Sequence, residues 1–384
     1  MKEEQSPSPL AGEGRGEGES TRQIGRPFLA WALACGLAGM FFCSTAATAA
    51  GPSAAGVAAF LADCAAKAAA AEQANTIAVP GRDGWLFFSG DLRHLGVGKF
   101  WGDEAVRVSK ATKPAYADPL PAILDFKAQM DKAGIELLLL PVPPKPVIYA
   151  DMICDQVQSG KDGPPRLDAR HQEFYELLRH NGVKVLDLTG EFIAHRGDKQ
   201  GPPFCKQDTH WSGWGCALAA NRLATEIKDR PWLAGVPRLK LAGEVKPTSI
   251  DGDLRQALAA AKPPAETLWL RFVGPAGQDE PPPLESDRRS PVILLGDSHT
   301  LVFHSGGDML AQGAGLADQL ALELGFAVDL IGVRGSGATP ARVNLLRLAR
   351  ADAQYLGRKK LVIWCFAARE FTESAGWQKV PVVK

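Results

Sequence analysis

Two short stretches of this sequence contain the side chains that a serine acyl-transfer enzyme needs. Asp208-Thr-His210-Trp211 supplies a carboxylate and an imidazole two residues apart, and a later Gly-Asp-Ser298-His-Thr supplies a hydroxyl. In an extended segment, side chains two residues apart point to the same side, so the Asp208 carboxylate can orient the His210 ring. The pattern therefore predicts Ser298 as the nucleophile, His210 as its base and Asp208 as the partner of the base.

The sequence around Ser298 predicts where that hydroxyl lies in the fold. An apolar run, residues 292–295, breaks into Gly296 just before the serine, as at the end of a buried strand. Sites of open α/β sheets lie at that edge, and the amide of Ser298 would face any oxyanion that forms there. The second glycine of a Gly-x-Ser-x-Gly elbow is missing, which disfavours an ordinary α/β-hydrolase. Two alternatives remain open: Ser298 caps a helix, or Asp208 or Ser212 caps the helix that begins near 212, leaving His210 exposed.

Six further residues are candidates for binding the oxyanion or the substrate: Gly335, Gly337, Lys145, Arg369, Trp211 and His304. The two glycines belong to a loop at another strand end, where backbone can approach a substrate closely, unless the loop is only a flexible turn. The lysine and the arginine follow strand ends and could bind an anionic sugar. The tryptophan could stack on a sugar ring, although core packing is the alternative. The histidine comes one or two helical turns after Ser298.

The cysteines predict no metal site. Cys205 and Cys216 flank Asp208 and His210, but the spacing matches no standard zinc pattern. We therefore predict no metal and no cofactor. In an oxidising compartment, Cys64, Cys154, Cys205 and Cys216 could form one or two disulfides, with the pairing open, while Cys365 lies in a strand-like run typical of a buried thiol.

The beginning of the chain predicts export. Residues 1–21 are polar and predicted to be disordered, and 22–50 combine arginines, an apolar stretch and small residues, as in an export signal or an N-terminal membrane anchor. Residues 51–75 are predicted as an alanine-rich helical linker. We expect a periplasmic protein, with the signal cleaved or holding the protein at the inner membrane. The 43 basic and 43 acidic residues balance, and no basic run is interleaved with aromatics, so nucleic acid is not the expected partner.

Residues 76–384 are predicted to form a single α/β catalytic domain. Predicted strands alternate with predicted helices, which indicates a parallel sheet with helices on both faces. The predicted strands are 136–141, 183–188, 291–296, 327–332 and 360–366. The predicted helices are 119–133, 168–180, 212–229, 316–324 and 340–351. Residues 230–290 are rich in proline and charge and are predicted to be a surface insertion.

Five motifs in this order resemble the alginate O-acetyltransferase family of the AlgJ/AlgX type. They are Gly-Arg-Asp-Gly-Trp-Leu-Phe from Gly81, Pro-Val-Pro-Pro-Lys from Pro141, Asp-Thr-His-Trp, Gly-Asp-Ser-His-Thr, and Ile-Trp-Cys-Phe-Ala-Ala-Arg-Glu from Ile363. The resemblance covers about residues 76–375. It implies an SGNH-hydrolase-like fold in which Asp-x-His precedes the serine.

Carried over to this chain, the resemblance makes Ser298 the acyl-accepting nucleophile, His210 the general base and acid, and Asp208 its partner. It implies transfer of acetyl groups to an exopolysaccharide outside the cytoplasmic membrane, with a membrane-bound acyltransferase as acetyl donor. Two alternatives stay open: a secreted carbohydrate acetylesterase, and a non-catalytic scaffold for polysaccharide export.

Overall fold

A five-stranded parallel sheet forms the centre of the molecule, with its strands in the spatial order 184–185, 136–142, 361–367, 292–296 and 329–332. The computed structural model describes residues 53–383 apart from 161–162, 260–261 and 279–281, so the predicted tail 1–21 and export segment 22–50 lie outside the described residues. The strands are β1 Ala78–Pro80, β2 Leu86–Phe88, β3 Glu136–Val142, β4 Lys184–Val185, β5 Leu241–Ile250, β6 Glu266–Pro275, β7 Val292–Gly296, β8 Asp329–Gly332 and β9 Leu361–Ala367.

Helices follow most of these strands. They are α1 Ala54–Gln73, α2 Ser89–Gly96, α3 Ala105–Val108, α4 Leu120–Lys132, α5 Lys145–Ile148, α6 Ala150–Ile153, α7 Ala169–His180, α8 Thr189–Ala194, α9 Gly213–Ile227, α10 Asp253–Gln256, α11 Leu316–Leu324, α12 Thr339–Ala351 and α13 Glu370–Glu373. The helices and strands predicted from residue 119 onward are present, with ends displaced by a few residues. The largest difference is at β4, which ends early because Asp187 turns the chain to begin α8 by accepting from the Thr189 amide.

The alternation of side chains along the strands divides the core between the two faces of the sheet. Leu137 and Leu139 of β3 point to one face, where they pack in a cluster with residues of α4, α7 and α12. Leu138 and Leu140 point to the other, where the cluster includes residues of α9 and α11. Because both faces are covered, the strands are apolar at nearly every position, as in other parallel sheets. The predicted α/β architecture with helices on both faces is confirmed.

Helix α1 packs against the domain and is not a free linker. Phe60 and Cys64 of α1 are buried in the core. Gly96 of α2 allows close contact, since a Cβ there would lie 2.7 Å from Ala65 Cα. Among the described residues, α1 is also the one helix long and apolar enough to cross a membrane, by length and composition alone.

The segment predicted as a surface insertion contains an antiparallel pair, β5 and β6, and the short helix α10 between them. Most of β5 is exposed, as expected for an insertion. In β6, however, Leu268 and Leu270 are buried, and the connection around α10 reaches the segment that carries Asp208. The insertion therefore helps to support the site. Its content of proline and charged residues had predicted only an exposed surface segment.

The predicted disulfides are absent from the described part of the chain. Cys64, Cys154, Cys205, Cys216 and Cys365 are all free and buried. Burial raises the pKa of each thiol, because a thiolate would lose its hydration. Each behaves as a small core residue, as expected for Cys365 alone.

Candidate active site

Ser298 lies at the carboxyl end of β7, on a single 3-10 turn, Ser298–Thr300. The turn begins where Gly296 crosses close to β9: a Cβ on this glycine would lie 2.0 Å from the Cys365 carbonyl oxygen. The Asp297 carboxylate caps the turn by accepting from the His299 amide. Only glycine fits at the crossing, and the crossing sets Ser298 at the edge of the sheet, where its side chain is partly exposed.

Asp208 and His210 lie in a segment between α8 and α9 in which the chain bends at every residue from 206 to 210. Phe204 and Trp211 form an isolated β-bridge across this segment, and the Cys205 amide donates to the His210 carbonyl. Ser212 ends it and caps α9 by accepting from the Gly215 amide at 3.2 Å. The helix cap thus belongs to Ser212, and His210 is buried instead of being exposed by accident.

A continuous chain of hydrogen bonds joins the three predicted residues. His210 Nδ1 lies 2.7 Å from Asp208 Oδ1, and His210 Nε2 lies 2.7 Å from Ser298 Oγ. An ionised carboxylate only accepts, so the Nδ1 atom carries the ring proton. The Nε2 atom is then free to accept from the Ser298 hydroxyl, which is the arrangement that activates a serine.

The charges around His210 favour its protonated form. Burial alone would lower its pKa, but the adjacent Asp208 carboxylate outweighs burial and raises the pKa of His210 above its usual 6.5. Burial likewise works against the Asp208 charge, yet His210 and two backbone amides hold the pKa of Asp208 well below its usual range. The pair is therefore built to keep a carboxylate beside a ring that can take up a proton.

Asp297 and His299, on either side of the serine, form a second buried pair that the sequence patterns did not single out. Asp297 Oδ1 lies 3.1 Å from His299 Nδ1, and its Oδ2 accepts from the Ala367 amide at 2.7 Å. Despite burial, the His299 and Arg369 charges lower the pKa of Asp297 to about 2. Burial lowers the pKa of His299, so that ring stays neutral beside His210, with 4.8 Å between ring centroids. The pair connects β7 to the end of β9; the only sequence signal was its adjacency to Ser298.

Lys145 does not bind a substrate carboxylate, contrary to the prediction. Its side chain is only 1% exposed, and its Nζ donates to the carbonyls of Leu86, Lys206 and Asp208 at 2.6, 3.0 and 3.0 Å. Two of these carbonyls belong to the segment that carries Asp208 and His210. The ammonium group therefore holds the backbone of the site from within the protein.

Asp253 supports the same segment from the insertion, and no sequence pattern indicated this role. The Asp253 amide donates to Asp208 Oδ2 at 2.8 Å, while its carboxylate accepts from the Thr209 amide at 2.7 Å. Ligand atoms of Asp208, His210 and Asp253 lie within 4.8 Å of one another, close enough for a metal. Asp208, His210 and Asp253 already use side-chain atoms in the hydrogen bonds described above. Cys205, which the sequence analysis weighed as a possible metal ligand, instead donates to the Trp211 carbonyl.

Trp211 is not placed as the sequence predicted, and His304 has a partner on α11. Trp211 is fully buried, and its indole donates to the His299 carbonyl at 3.0 Å, so the ring packs beneath the serine turn and cannot stack on a sugar. His304 hydrogen-bonds through Nδ1 to the carboxylate of Asp318 on α11, at 2.9 Å. Within the described residues, no hydrogen bond joins His304 to the chain formed by Ser298, His210 and Asp208.

Arg369 and the glycine loop lie next to the site. Arg369 follows β9 and pairs with Asp91 at 3.1 Å. Its positive charge adds to the effect of His299 in lowering the pKa of Asp297, and it opposes, without reversing, the rise in the pKa of His210. Gly337 packs against the serine turn, since a Cβ there would lie 2.9 Å from the Asp297 amide nitrogen. Gly335 is exposed with φ of +88° and has open space around it.

Glu370 fastens this glycine loop to α13. Its carboxylate accepts from the Ser336 hydroxyl at 2.6 Å and from the Ala338 amide. Burial and the Asp297 charge raise the pKa of Glu370 to about 7. The loop is thus held firmly beside the serine turn.

The parallel sheet, with a serine at its carboxyl edge and an Asp-x-His segment preceding it in the chain, defines an SGNH hydrolase-like domain. The family described as the SGNH hydrolase-like domain of the acetyltransferase AlgX matches residues 78–368, and the chain belongs to this family. The resemblance predicted from the motifs is confirmed.

Individual relatives agree with this assignment. The chain is similar to the probable alginate O-acetylase AlgJ of Pseudomonas putida, with 24% identity over 300 residues, covering 76% of this chain and 69% of the relative. The protein of the same name from Pseudomonas syringae pv. tomato is 26% identical over 269 residues, covering 66% of this chain and 62% of the relative. The chain therefore spans roughly two thirds of the length of these relatives.

Two solved structures share the fold. The O-acetyltransferase domain of Pseudomonas putida AlgJ superposes with a TM-score of 0.56 at 21% identity, over 77% of this chain and 92% of that domain. Pseudomonas aeruginosa AlgX superposes with a TM-score of 0.53 at 18% identity, over 76% of this chain and 62% of that protein.

Proposed function

We propose that this protein transfers acetyl groups to hydroxyls of an alginate-like exopolysaccharide through an acetyl-Ser298 intermediate. The observation that carries the proposal is the chain of hydrogen bonds from the Asp208 carboxylate through His210 to the Ser298 hydroxyl, with both distances at 2.7 Å. Membership of the AlgX family supports acetyl transfer, and the relatives named alginate O-acetylase support a polysaccharide acceptor.

In the first half-reaction, Ser298 Oγ attacks the acetyl carbonyl of the donor while His210 Nε2 takes the hydroxyl proton. The bond between the acetyl carbon and the leaving group then breaks, and His210 returns the proton to the leaving group. Asp208 keeps the ring in the required tautomer and stabilises the imidazolium. The neutral His299 beside it adds no positive charge that would oppose this step.

In the second half-reaction, a sugar hydroxyl attacks the acetyl carbon of the intermediate. His210 takes the proton of that hydroxyl, the bond to Ser298 Oγ breaks, and the proton passes to the serine. The product is an acetylated sugar and the original enzyme. Water in place of the sugar would make the protein an esterase.

The Ser298 amide is the first candidate for stabilising the oxyanion in both steps. It stands at the start of the serine turn and has no acceptor among the residues that the structure describes. A backbone N–H group that is free and fixed in direction is suited to a charge that develops on the carbonyl oxygen. Gly337 would bring the glycine loop to the same edge.

The proposal places the reaction in the periplasm, with a membrane-bound acyltransferase supplying the acetyl group. The export segment predicted for residues 22–50 supports this location, with the signal either cleaved or retained as an inner-membrane anchor. No cofactor is required by the steps above. A fusion of the first 75 residues to a reporter that is active only in the periplasm tests the location.

The activity is tested with the purified domain, a small activated acetyl ester, and alginate oligosaccharides as acceptor. We expect acetylated oligosaccharide in the presence of acceptor, and loss of all turnover in Ser298→Ala but not in the exposed control Ser305→Ala. Acetate release that acceptor neither slows nor diverts would indicate an esterase. Full polymer acetylation in cells that carry only Ser298→Ala would instead indicate a non-catalytic scaffold.

A further inference from the structure

A groove beside the catalytic segment has the chemistry of a sugar-binding site. It lies between residues 200–214 and the first half of β6, with a volume of about 250 Å³. Two tryptophans, Trp214 and Trp269, line it together with Gln200, Lys206 and Thr267. We call this cavity the Trp269 groove.

Trp269 is exposed for a reason that lies in the strand pattern. Leu268 and Leu270 are buried on the inner side of β6, so alternation turns Trp269 outward, where 57% of it is exposed. The ring adds little to the core from this position. An indole left in water at the wall of a groove marks a surface that a ligand can cover.

The groove is built onto the segment that carries Asp208 and His210. Lys206 and Ser212, which line it, stand on either side of these two residues in the chain. Glu266, at the start of β6, accepts from the amides of Lys206 and Gln207 at 3.0 and 3.1 Å. β6 also comes close to the start of α9, because a Cβ on Gly213 would lie 2.6 Å from Leu270 Cδ2. One wall of the groove and the catalytic segment are thus parts of the same hydrogen-bonded unit.

We propose that the Trp269 groove binds a sugar unit of the acceptor chain that is not the unit being acetylated. A pyranose ring offers an apolar C–H face to an indole, and its edge offers hydroxyls to amide and hydroxyl side chains such as Gln200 and Thr267. The Lys206 ammonium supplies a partner for the carboxylate of a uronic acid. This inference rests on the proposed function, because it assigns the groove to the polymeric acceptor of that reaction.

The groove is tested with Trp269→Ala and the matched control Val245→Ala. Val245, on β5, is 56% exposed and does not line the groove, so both changes remove an exposed apolar side chain from the hairpin. With long alginate oligosaccharides we expect Trp269→Ala to raise the KM for acceptor about five- to ten-fold, with a smaller rise for a disaccharide. Val245→Ala should match the wild type. Equal KM values for Trp269→Ala and the wild type at every acceptor length would overturn the proposal.

Binding measurements separate this inference from the proposed function. Calorimetric titration of alginate oligosaccharides into Ser298→Ala, alone and combined with Trp269→Ala, measures the groove without turnover. We expect the double variant to bind about five- to ten-fold more weakly, even if the wild type proves to have no transferase activity. Unchanged binding in the double variant would overturn the groove proposal while leaving the activity untouched. Unchanged binding together with a Trp269-dependent dimer in light scattering would assign the face to protein contact instead.

Discussion

Replacing Lys145 with methionine tests whether its buried ammonium group holds the backbone of the segment that carries Asp208 and His210. Methionine has a similar length and keeps the apolar packing of the stem, so the change removes mainly the charge and its three hydrogen bonds. The carbonyls of Leu86, Lys206 and Asp208 would lose a partner at 2.6–3.0 Å. A loss of stability and a displaced Asp208 are the expected results.

The magnitude follows from the number of bonds and from the burial of the charge. Charge-assisted hydrogen bonds contribute about 1.5–3 kcal/mol each, but they do not add fully here. Burial opposes the charge and lowers the pKa of Lys145 to about 8, which offsets part of the gain. We therefore expect Lys145→Met to lower the free energy of unfolding by about 3–5 kcal/mol, because three buried carbonyls lose a charge-assisted hydrogen bond while the cost of burying the ammonium disappears.

The assay is urea unfolding followed by intrinsic fluorescence, with kcat measured under conditions in which each variant is fully folded. Lys240→Met, on an exposed lysine, is the control and should match the wild type. In the folded state we expect kcat of Lys145→Met to fall about 100-fold, because a small displacement of the base is costly. A variant as stable as the wild type, or one that is unstable but fully active when folded, would refute the positioning role of Lys145.

Three further predictions follow from the buried groups. Asp208→Asn should lower kcat about 10⁴-fold. Asp208 also raises the pKa of His210, which must be neutral to act as a base. Without the carboxylate that pKa falls, so the acid limb of the pH–kcat/KM profile should move to lower pH. An unchanged limb would show that Asp208 does not set this pKa. His94 and His171 hydrogen-bond to each other at 2.7 Å, and burial lowers the pKa of both rings. The folded protein therefore keeps both rings neutral, and this stabilises the fold fully above about pH 6.5, the pKa of an unfolded histidine. The stabilisation is lost as the pH falls from there toward the lowered pKa values of the folded state. Urea unfolding between pH 7.5 and 5, about the unperturbed histidine pKa, should show this slope, with a shallower one in His171→Gln. Trp211→Phe should destabilise the protein by about 1–3 kcal/mol without raising the KM for acceptor; a raised KM at unchanged stability would restore its predicted role in sugar stacking.

The order of strands and helices could be predicted because its causes are local. β7 is an unbroken apolar run that ends at a glycine, and α11 is a helix rich in leucine and alanine that ends before Gly325, which adopts φ of +71°. The position of Ser298 followed from the same logic, since a strand end places the residue after it at the edge of the sheet. Asp208 and His210 do pair as predicted, but the reason is a bend and not an extended strand: Asp208 Oδ1 accepts from the His210 amide at 2.9 Å and lies 2.7 Å from His210 Nδ1.

The supports of the site could not be predicted because they depend on contacts between distant residues. Lys145 follows a strand end, which favours a surface role, but the carbonyls that surround its ammonium come from elements 59 to 63 residues away. Asp253 lies in a segment of weak periodicity, and only folding brings its amide to Asp208. The burial of Trp211 could not be predicted either, because a residue next to a catalytic motif can face either the substrate or the core.

Identifying the acylated residue tests the acetyl-Ser298 mechanism without reference to any other step. The protein is mixed with an activated acetyl ester without acceptor, quenched with acid at short times, digested, and analysed by mass spectrometry. We expect one added acetyl group on Ser298, formed before product is released and discharged when alginate oligosaccharide is supplied. Acetyl transfer that proceeds with Ser298 never modified, or that persists in Ser298→Ala, would contradict this mechanism.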